Sequence, residues 1–418
     1  MAVSAISDPG LAAEGAARIA WADGQMPVLR SVRERFVREQ PLEGTRVAAC
    51  LHVTAETANL VATLVAGGAE VGLCAANPLS TQDDVAASLA VADRTVVLAR
   101  HGEDIEAYVA HVAALASTGP TITLDDGADL LTVLHAGAAP ARAGLLGGTE
   151  ETTTGLLRLR GMAAEGRLAC PVVAVNEART ERVFNDRYGT GQSTLDGILR
   201  ATNLLLAGRT VVVLGYGWTG RGIAQRARAP GASVIVCEVD PFAALEARME
   251  GYEVTTALDA AARGDVFITV TGARRVLGRE HFKTMKDGSV LANAGHFDVE
   301  IDLVALRDLA GDGRSVLPLV EQYVVDGRRL NLLASGRVVN LAAGQGHPAA
   351  VMDMSFAGQA LVAEHLVRCG ADLAHEVHPM PDALDREVAR LKLASLGVAI
   401  DVLTPDQEAY RHSWGSPA

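Results

Sequence analysis

The chain has 418 residues, with 50 Asp and Glu against 37 Lys and Arg and a formal net charge of -13. An acidic surface of that size repels a nucleic-acid backbone and an anionic membrane, so neither is expected as a partner and a small molecule is. Hydrophobic residues make up 49% and aromatics 4%, a globular composition with aliphatic cores, and the length exceeds one average domain, so two are expected.

Five scattered cysteines, Cys50, Cys74, Cys170, Cys237 and Cys369, show no C-x-x-C pair and no metal-ligand spacing. They fit a reducing cytoplasm and imply no metal site. Residues 1–30 contain no continuous apolar leader segment, and no later run reaches the roughly 18 apolar residues of a membrane span. A soluble, unprocessed protein is expected.

In chain order, 8–40 carries apolar residues at spacings of three and four with charges between them, which predicts helices. Thr45–His52, Ala69–Cys74, Arg94–Leu98 and Thr121–Leu124 then read as short buried strands, separated by helices such as Ala55–Ala66 and Gln82–Ala92. Alternation of this kind predicts parallel βαβ units. A second series follows Gly208, with strands at Val211–Leu214, Ser233–Val236, Val266–Thr269 and Ser289–Ala292. The expected class is α/β, two domains with parallel sheets flanked by helices. Ser193–Leu206 reads as the helix passing between the domains, and the return is expected after Gly344–Pro348, where Ser355–Leu366 reads as a long helix. The region 384–418 is expected to be helical and then polar.

The second series opens on a motif that carries chemistry. Strand Thr210–Leu214 runs directly into Gly215-Tyr-Gly217-Trp-Thr-Gly220, a G-x-G-x-x-G between a strand and a helix. Gly215 allows the tight turn, Gly217 admits a pyrophosphate to the backbone, and Gly220 lets the helix pack close, with the helix N-terminus adding its positive end. The next strand ends in Glu238, 23 residues after Gly215, where a carboxylate accepts both adenosine ribose hydroxyls and repels a 2′-phosphate. NAD is therefore expected rather than NADP. FAD shares the fingerprint but usually takes it near an N-terminus, whereas this copy is mid-chain. The second domain is expected to be a Rossmann domain.

Further motifs identify a relationship. Ser193-Thr-Leu-Asp-Gly-Ile-Leu-Arg, the glycine turn, L-H-V-T-A-E-T at 51–57, S-T-Q-D-D at 80–84, L-D-D-G-A-D-L at 124–130 and E-E-T-T-T-G at 150–155 closely resemble the S-adenosylhomocysteine hydrolase family. So do N-A-G-H-F-D-V-E-I-D at 293–302, G-R-V-V-N-L at 336–341 and G-H-P at 346–348. The chain resembles the short form of that family found in archaea and some thermophilic bacteria. The resemblance implies a substrate-binding domain at 1–190 completed by 350–385, an NAD domain at 191–349, a tail at 386–418, and a homotetramer in which Tyr410 of the tail approaches a neighbour's cofactor.

It also implies a reaction. NAD, tightly bound and recycled, oxidises the ribose 3′-hydroxyl of an adenine nucleoside; the ketone acidifies C4′–H; a base removes that proton and the 5′ group is eliminated. By resemblance, Thr54, Glu56 and His347 contact the base, while His52, Asp126 and His296 serve proton transfer around C4′ and C5′. Glu151 grips ribose hydroxyls, Thr152, Thr153 and Thr154 face the nicotinamide half, and Thr271, Gly295 and Asn340 are further cofactor contacts.

One segment departs from the family. Where relatives carry a catalytic lysine and then, after a pair of residues, Phe-Asp-Asn, this chain reads Glu181-Arg-Val-Phe184-Asn185-Asp186. The register is pinned by Asn176 and by Arg187–Ser193, so no gap restores the lysine. Glu181 is expected to take the 3′-hydroxyl proton or to bond an extra substrate hydroxyl, with Asn185 on the substrate and Asp186 toward the cofactor. Three functions follow: a dehydratase forming a 4′,5′-alkene, as in conversion of angustmycin C to angustmycin A; a genuine adenosylhomocysteine hydrolase; or a regulator that binds NAD and nucleoside without turnover.

Overall fold

A computed structural model describes residues 4–137, 142–295, 298–412 and 414. The first strands are β1 (Arg46–Leu51), β2 (Glu70–Ala75), β3 (Thr95–Leu98), β4 (Ile122–Asp125), β5 (Gly147–Glu150) and β6 (Val172–Ala174). Then come β7 (Thr210–Leu214), β8 (Ser233–Cys237), β9 (Glu253–Val254), β10 (Val266–Thr269) and β11 (Ser289–Asn293). β12 (Arg314–Leu317), β13 (Val320–Val325), β14 (Arg328–Leu333) and β15 (Val377–Pro379) complete the series.

They form two sheets. The first has the order β15-β6-β5-β4-β1-β2-β3 with every neighbouring pair parallel. The second has the order β12-β13-β14-β11-β10-β7-β8-β9, parallel except for the hairpins that β13 makes with β12 and β14. In each sheet the chain lays strands outward on one side of its first strand and then crosses to the other, between β1 and β4 and between β7 and β10. Such switch points leave a crevice at the carboxyl ends of the strands.

Aliphatic burial holds these layers together. Phe36, Leu60, Leu64 and Leu73 are fully buried in the first core, and each such side chain contributes about 1.5–3 kcal/mol. Helix Ala349–Cys369 runs through the same core, with Ala357, Ala360, Val362 and Leu366 buried. Its buried Asp353 accepts the Leu29 amide at 2.8 Å and pairs with Lys392 Nζ at 2.8 Å, tying the N-terminal and C-terminal helices to it.

The expected helices at Ala55–Ala66 and the four expected strands of each series are present. The passage expected at Ser193–Leu206 differs: the helix is Gly191–Thr202, stopped by Asn203 in the left-handed conformation (φ 51°). Asparagine tolerates that geometry and so ends helices. Ahead of it, Glu181–Thr190 is wound as a π-helix that continues into Gly191, a wider winding of a kind that recurs at functional sites. The tail contains helices Asp382–Ser395 and Pro405–Arg411. Among the described residues no helix is long and apolar enough to cross a membrane.

Candidate active site

A cavity of about 590 Å³ opens between the carboxyl ends of the two sheets. From the first sheet it is lined by His52 after β1, Asp126 after β4 and Glu151, Thr152, Thr153 and Thr154 after β5. Thr54 and Glu56 reach it from the next helix, and His347 from the loop before Ala349–Cys369. From the second sheet come Gly217, Thr271, Gly295 and Asn340. Residues more than 200 positions apart in sequence thus converge on one chamber. His296 lies outside the described residues.

The glycine turn has the shape expected of it. Gly215 has φ +106° and a Cβ there would meet the Val270 carbonyl at 2.8 Å. At Gly220 a Cβ would lie 2.0 Å from the Gly215 carbonyl oxygen, so only glycine lets helix Trp218–Arg228 pack so close. Gly217 caps that helix with no side-chain hydrogen bond, and nothing lies within 4 Å of a Cβ built on it. The first-turn amides are therefore available to an anion. Glu238 sits at the end of β8, accepting from the Tyr216 amide at 2.5 Å and the Asp240 amide at 3.0 Å. The side-chain oxygen Oδ1 of Asn340 is buried without a protein partner, a polar group left for a ligand. These residues fit NAD. Among the described residues no group of three or more His, Cys, Asp and Glu is arranged to hold a metal.

At the other end, Ser80 donates to the Asn77 carbonyl at 2.8 Å, so its oxygen receives Nδ1–H of His52 at 2.7 Å. Nε2 of His52 is then turned inward, 3.5 Å from Asp126 Oδ2, an ion pair only when the ring carries its second proton. Behind this pair, buried Glu150 accepts from the amides of Gly127 at 2.9 Å and Thr152 at 2.8 Å, bracing both loops that present Asp126 and Glu151. Gln359 donates to Glu151 and accepts from Thr149 at 3.0 Å. Burial raises the pKa of Glu151, and Glu181 raises it further.

Ser80, Glu150, Gln359 and Ser355 were not singled out from sequence. Glu300 was also missed: it accepts from the Thr271 and Gly272 amides, both at 2.9 Å. Ser80 and Glu150 stand inside the family-like motifs; Gln359 and Ser355 gave no local signal.

Glu181 was expected beside the substrate's 3′-hydroxyl. It is only 4% exposed and is not among the cavity-lining residues. Ser355 bonds it, yet burial first, and the charges of Asp186 and Asp385 after it, push its pKa up to about 8. The acid at position 181 therefore holds its proton to a higher pH than an exposed glutamate does. Asn185 and Asp186 do line the chamber; Asn185 donates to Ser355 at 2.9 Å, and Asp186 pairs with Arg182 at 3.0 Å.

Segments 4–144 and 186–346 match the family descriptions S-adenosyl-L-homocysteine hydrolase and S-adenosyl-L-homocysteine hydrolase, NAD binding domain, respectively. The chain is 56% identical to the adenosylhomocysteinase of Aquifex aeolicus, covering 98% of both chains. The chain belongs to the S-adenosylhomocysteine hydrolase family. It is 54% identical to the adenosylhomocysteinase of Thermosynechococcus vestitus over 98% of this chain and 96% of that one. It is 51% identical to the S-inosyl-L-homocysteine hydrolase of Methanosarcina acetivorans over 98% and 99%. Membership of this family makes the protein an NAD-dependent enzyme, with the cofactor held in the second sheet's crevice.

Proposed function

We propose redox-neutral elimination at C5′ of an adenine nucleoside, with hydrolysis of S-adenosylhomocysteine as its first form. The carrying observation is that His52, paired with Asp126 and oriented by Ser80, shares a chamber with the dinucleotide turn. Bound NAD supplies reversible oxidation of the 3′-hydroxyl, which makes C4′–H acidic. Glu151, fixed by Gln359, holds the ribose; Thr152, Thr153 and Thr154 line the nicotinamide end. His52 and Asp126 move protons at C4′ and C5′. Burial keeps a proton on Glu56 more readily than usual, and a carboxylic acid both accepts from the exocyclic amine and donates to N1 of adenine.

The relatives' names favour hydrolysis over dehydration. One observation favours the second reading, elimination of water to a 4′,5′-alkene: position 181, a lysine in the family, is an acid seated behind the wall. Incubation with S-adenosylhomocysteine and assay of free homocysteine tests hydrolysis; incubation with angustmycin C, followed by mass for loss of one water, tests dehydration. A chain that forms neither product, while retaining NAD, is the regulator instead. The exposed tail side chains Leu396, Ile400, Val402 and Trp414 support the homotetramer, which sedimentation velocity checks.

A further inference from the structure

Four carboxylates line the cavity, Glu56, Asp126, Glu151 and Asp186, and Arg182 is the single lysine or arginine among its described lining residues. Its guanidinium is set rather than loose. Nη1 lies 3.0 Å from Asp186 Oδ2 and 3.5 Å from Thr153 Oγ1, and the side chains of Arg182 and Asp186 are 23% and 17% exposed. Thr153 in turn meets Asn176 Oδ1 at 3.2 Å. The cation is thereby anchored beside the threonines that follow Glu151.

The proposed chemistry needs a positive charge there. When C4′–H breaks next to a 3′-ketone, its proton passes to a base and the C–H electron pair becomes a C3′–C4′ double bond. The carbonyl π pair then moves onto the 3′-oxygen. That oxyanion collapses as the C4′–C5′ double bond forms and the 5′ group leaves with its bonding pair. The lining meets these charges with four carboxyl groups and one guanidinium. The resemblance implies a lysine as that cation, with its partner aspartate four residues on. Here Glu181 and Asn185 occupy those positions, and the same spacing of cation and carboxylate recurs one residue later, at Arg182 and Asp186.

We propose that Arg182, held by Asp186, is the cationic partner of the substrate's 3′-oxygen, the charge pair having moved one residue along the π-helical segment. A guanidinium is a permanent cation with several fixed donors, so Arg182 transfers no proton: it holds the 3′-oxygen and stabilises its negative charge. The assignment rests on the elimination proposed above and adds a catalytic residue to it. The alternative is an i,i+4 ion pair that only stabilises the helix.

The test uses the full chain loaded with NAD, as parent, Arg182→Gln and Arg182→Lys. Exchange of C4′–H of adenosine into heavy water is followed by NMR, calorimetry gives affinities for adenosine and 3′-deoxyadenosine, and released NAD is counted. Arg182→Gln is expected to slow exchange by about 100-fold or more and to cut the preference for adenosine over 3′-deoxyadenosine about 10-fold, with NAD content unchanged. Arg182→Lys is expected to recover part of both. Arg182→Gln matching the parent in either readout overturns the proposal. So does a parent chain that binds the two nucleosides equally, a result that needs no variant to fold. A parent chain that prefers adenosine but exchanges no C4′–H overturns the elimination reading instead, and the affinity comparison still judges Arg182.

Discussion

The Nδ1 of His52 and the hydroxyl of Ser80 are 2.7 Å apart, and the serine has already committed its own proton to the Asn77 carbonyl. The contact therefore selects a tautomer as well as a ring orientation, and it leaves Nε2 facing Asp126. Ser80→Ala removes that selection without touching the cavity floor. We expect kcat to fall about 10- to 100-fold, a fraction of what acid–base catalysis contributes, with KM and bound NAD nearly unchanged. Ser80→Thr, which keeps a hydroxyl, should restore much of the rate. Equal kcat in parent and Ser80→Ala, measured on the product-forming reaction, shows that the ring needs no such support.

Gly217 and Gly220 belong to one motif but should fail in different ways. A methyl on Gly217 meets no protein atom within 4 Å and projects into the cradle where a pyrophosphate approaches. Gly217→Ala is expected to melt like the NAD-free parent while binding NAD at least 10-fold more weakly. At Gly220 the methyl lies 2.0 Å from the Gly215 carbonyl oxygen, and overpacking of that kind costs about 1–3 kcal/mol. Gly220→Ala should lower Tm even without cofactor. Differential scanning of the NAD-free chains, with cofactor titration, separates the two; similar melting of both variants counts against the assignment.

The same glycines show why much of the site was legible in the sequence. A G-x-G-x-x-G turn, a strand-terminal Glu238 and a helix capped by Thr54 are local devices, each decided within a few residues. The strands read most easily were runs such as Val211–Leu214, buried on both faces. β5, Gly147-Gly-Thr-Glu150, has no such run and was missed; it becomes a strand because glycines let it lie against Thr123 and Pro171. Gln359 meets Glu151 across 208 residues of chain, and no local pattern announces such a meeting. Glu181 illustrates the other limit: its substitution was plain in the sequence, whereas its burial and protonation depended on Ser355, Asp186 and Asp385 closing around it.

His347 offers a test on the acid side. Burial, with the neighbouring His52 adding to it, lowers its pKa to about 4, while Nε2 meets Thr190 Oγ1 at 2.9 Å. An unfolded chain binds this proton below about 6.5 and the folded chain does not until about 4. Stability from this group is thus complete above 6.5 and is lost as pH falls toward 4. His347→Asn keeps a polar group near Thr190 without the titration. Its Tm should fall less steeply than the parent's between those values. Parallel slopes show that the ring is charged in the folded protein.

Glu181 works in the opposite direction. Its pKa is pushed from 4.5 up to about 8 in the folded chain, so between those values the folded state holds a proton that the unfolded state has released. Stability from this group is complete below 4.5 and is lost as pH rises through 8. Glu181→Gln mimics the protonated acid, keeps a hydrogen bond available to Ser355 and cannot ionise. Its Tm is expected to match the parent's near pH 5 and to exceed it at pH 8.5. Catalysis adds an independent check: a residue that sits behind the wall as a neutral support should leave C4′–H exchange within about 10-fold of the parent, well short of the 10²–10⁴ that general acid–base catalysis supplies. Loss of exchange by 10³ or more, with Tm and NAD content preserved, would make Glu181 the base that its position in the sequence first suggested.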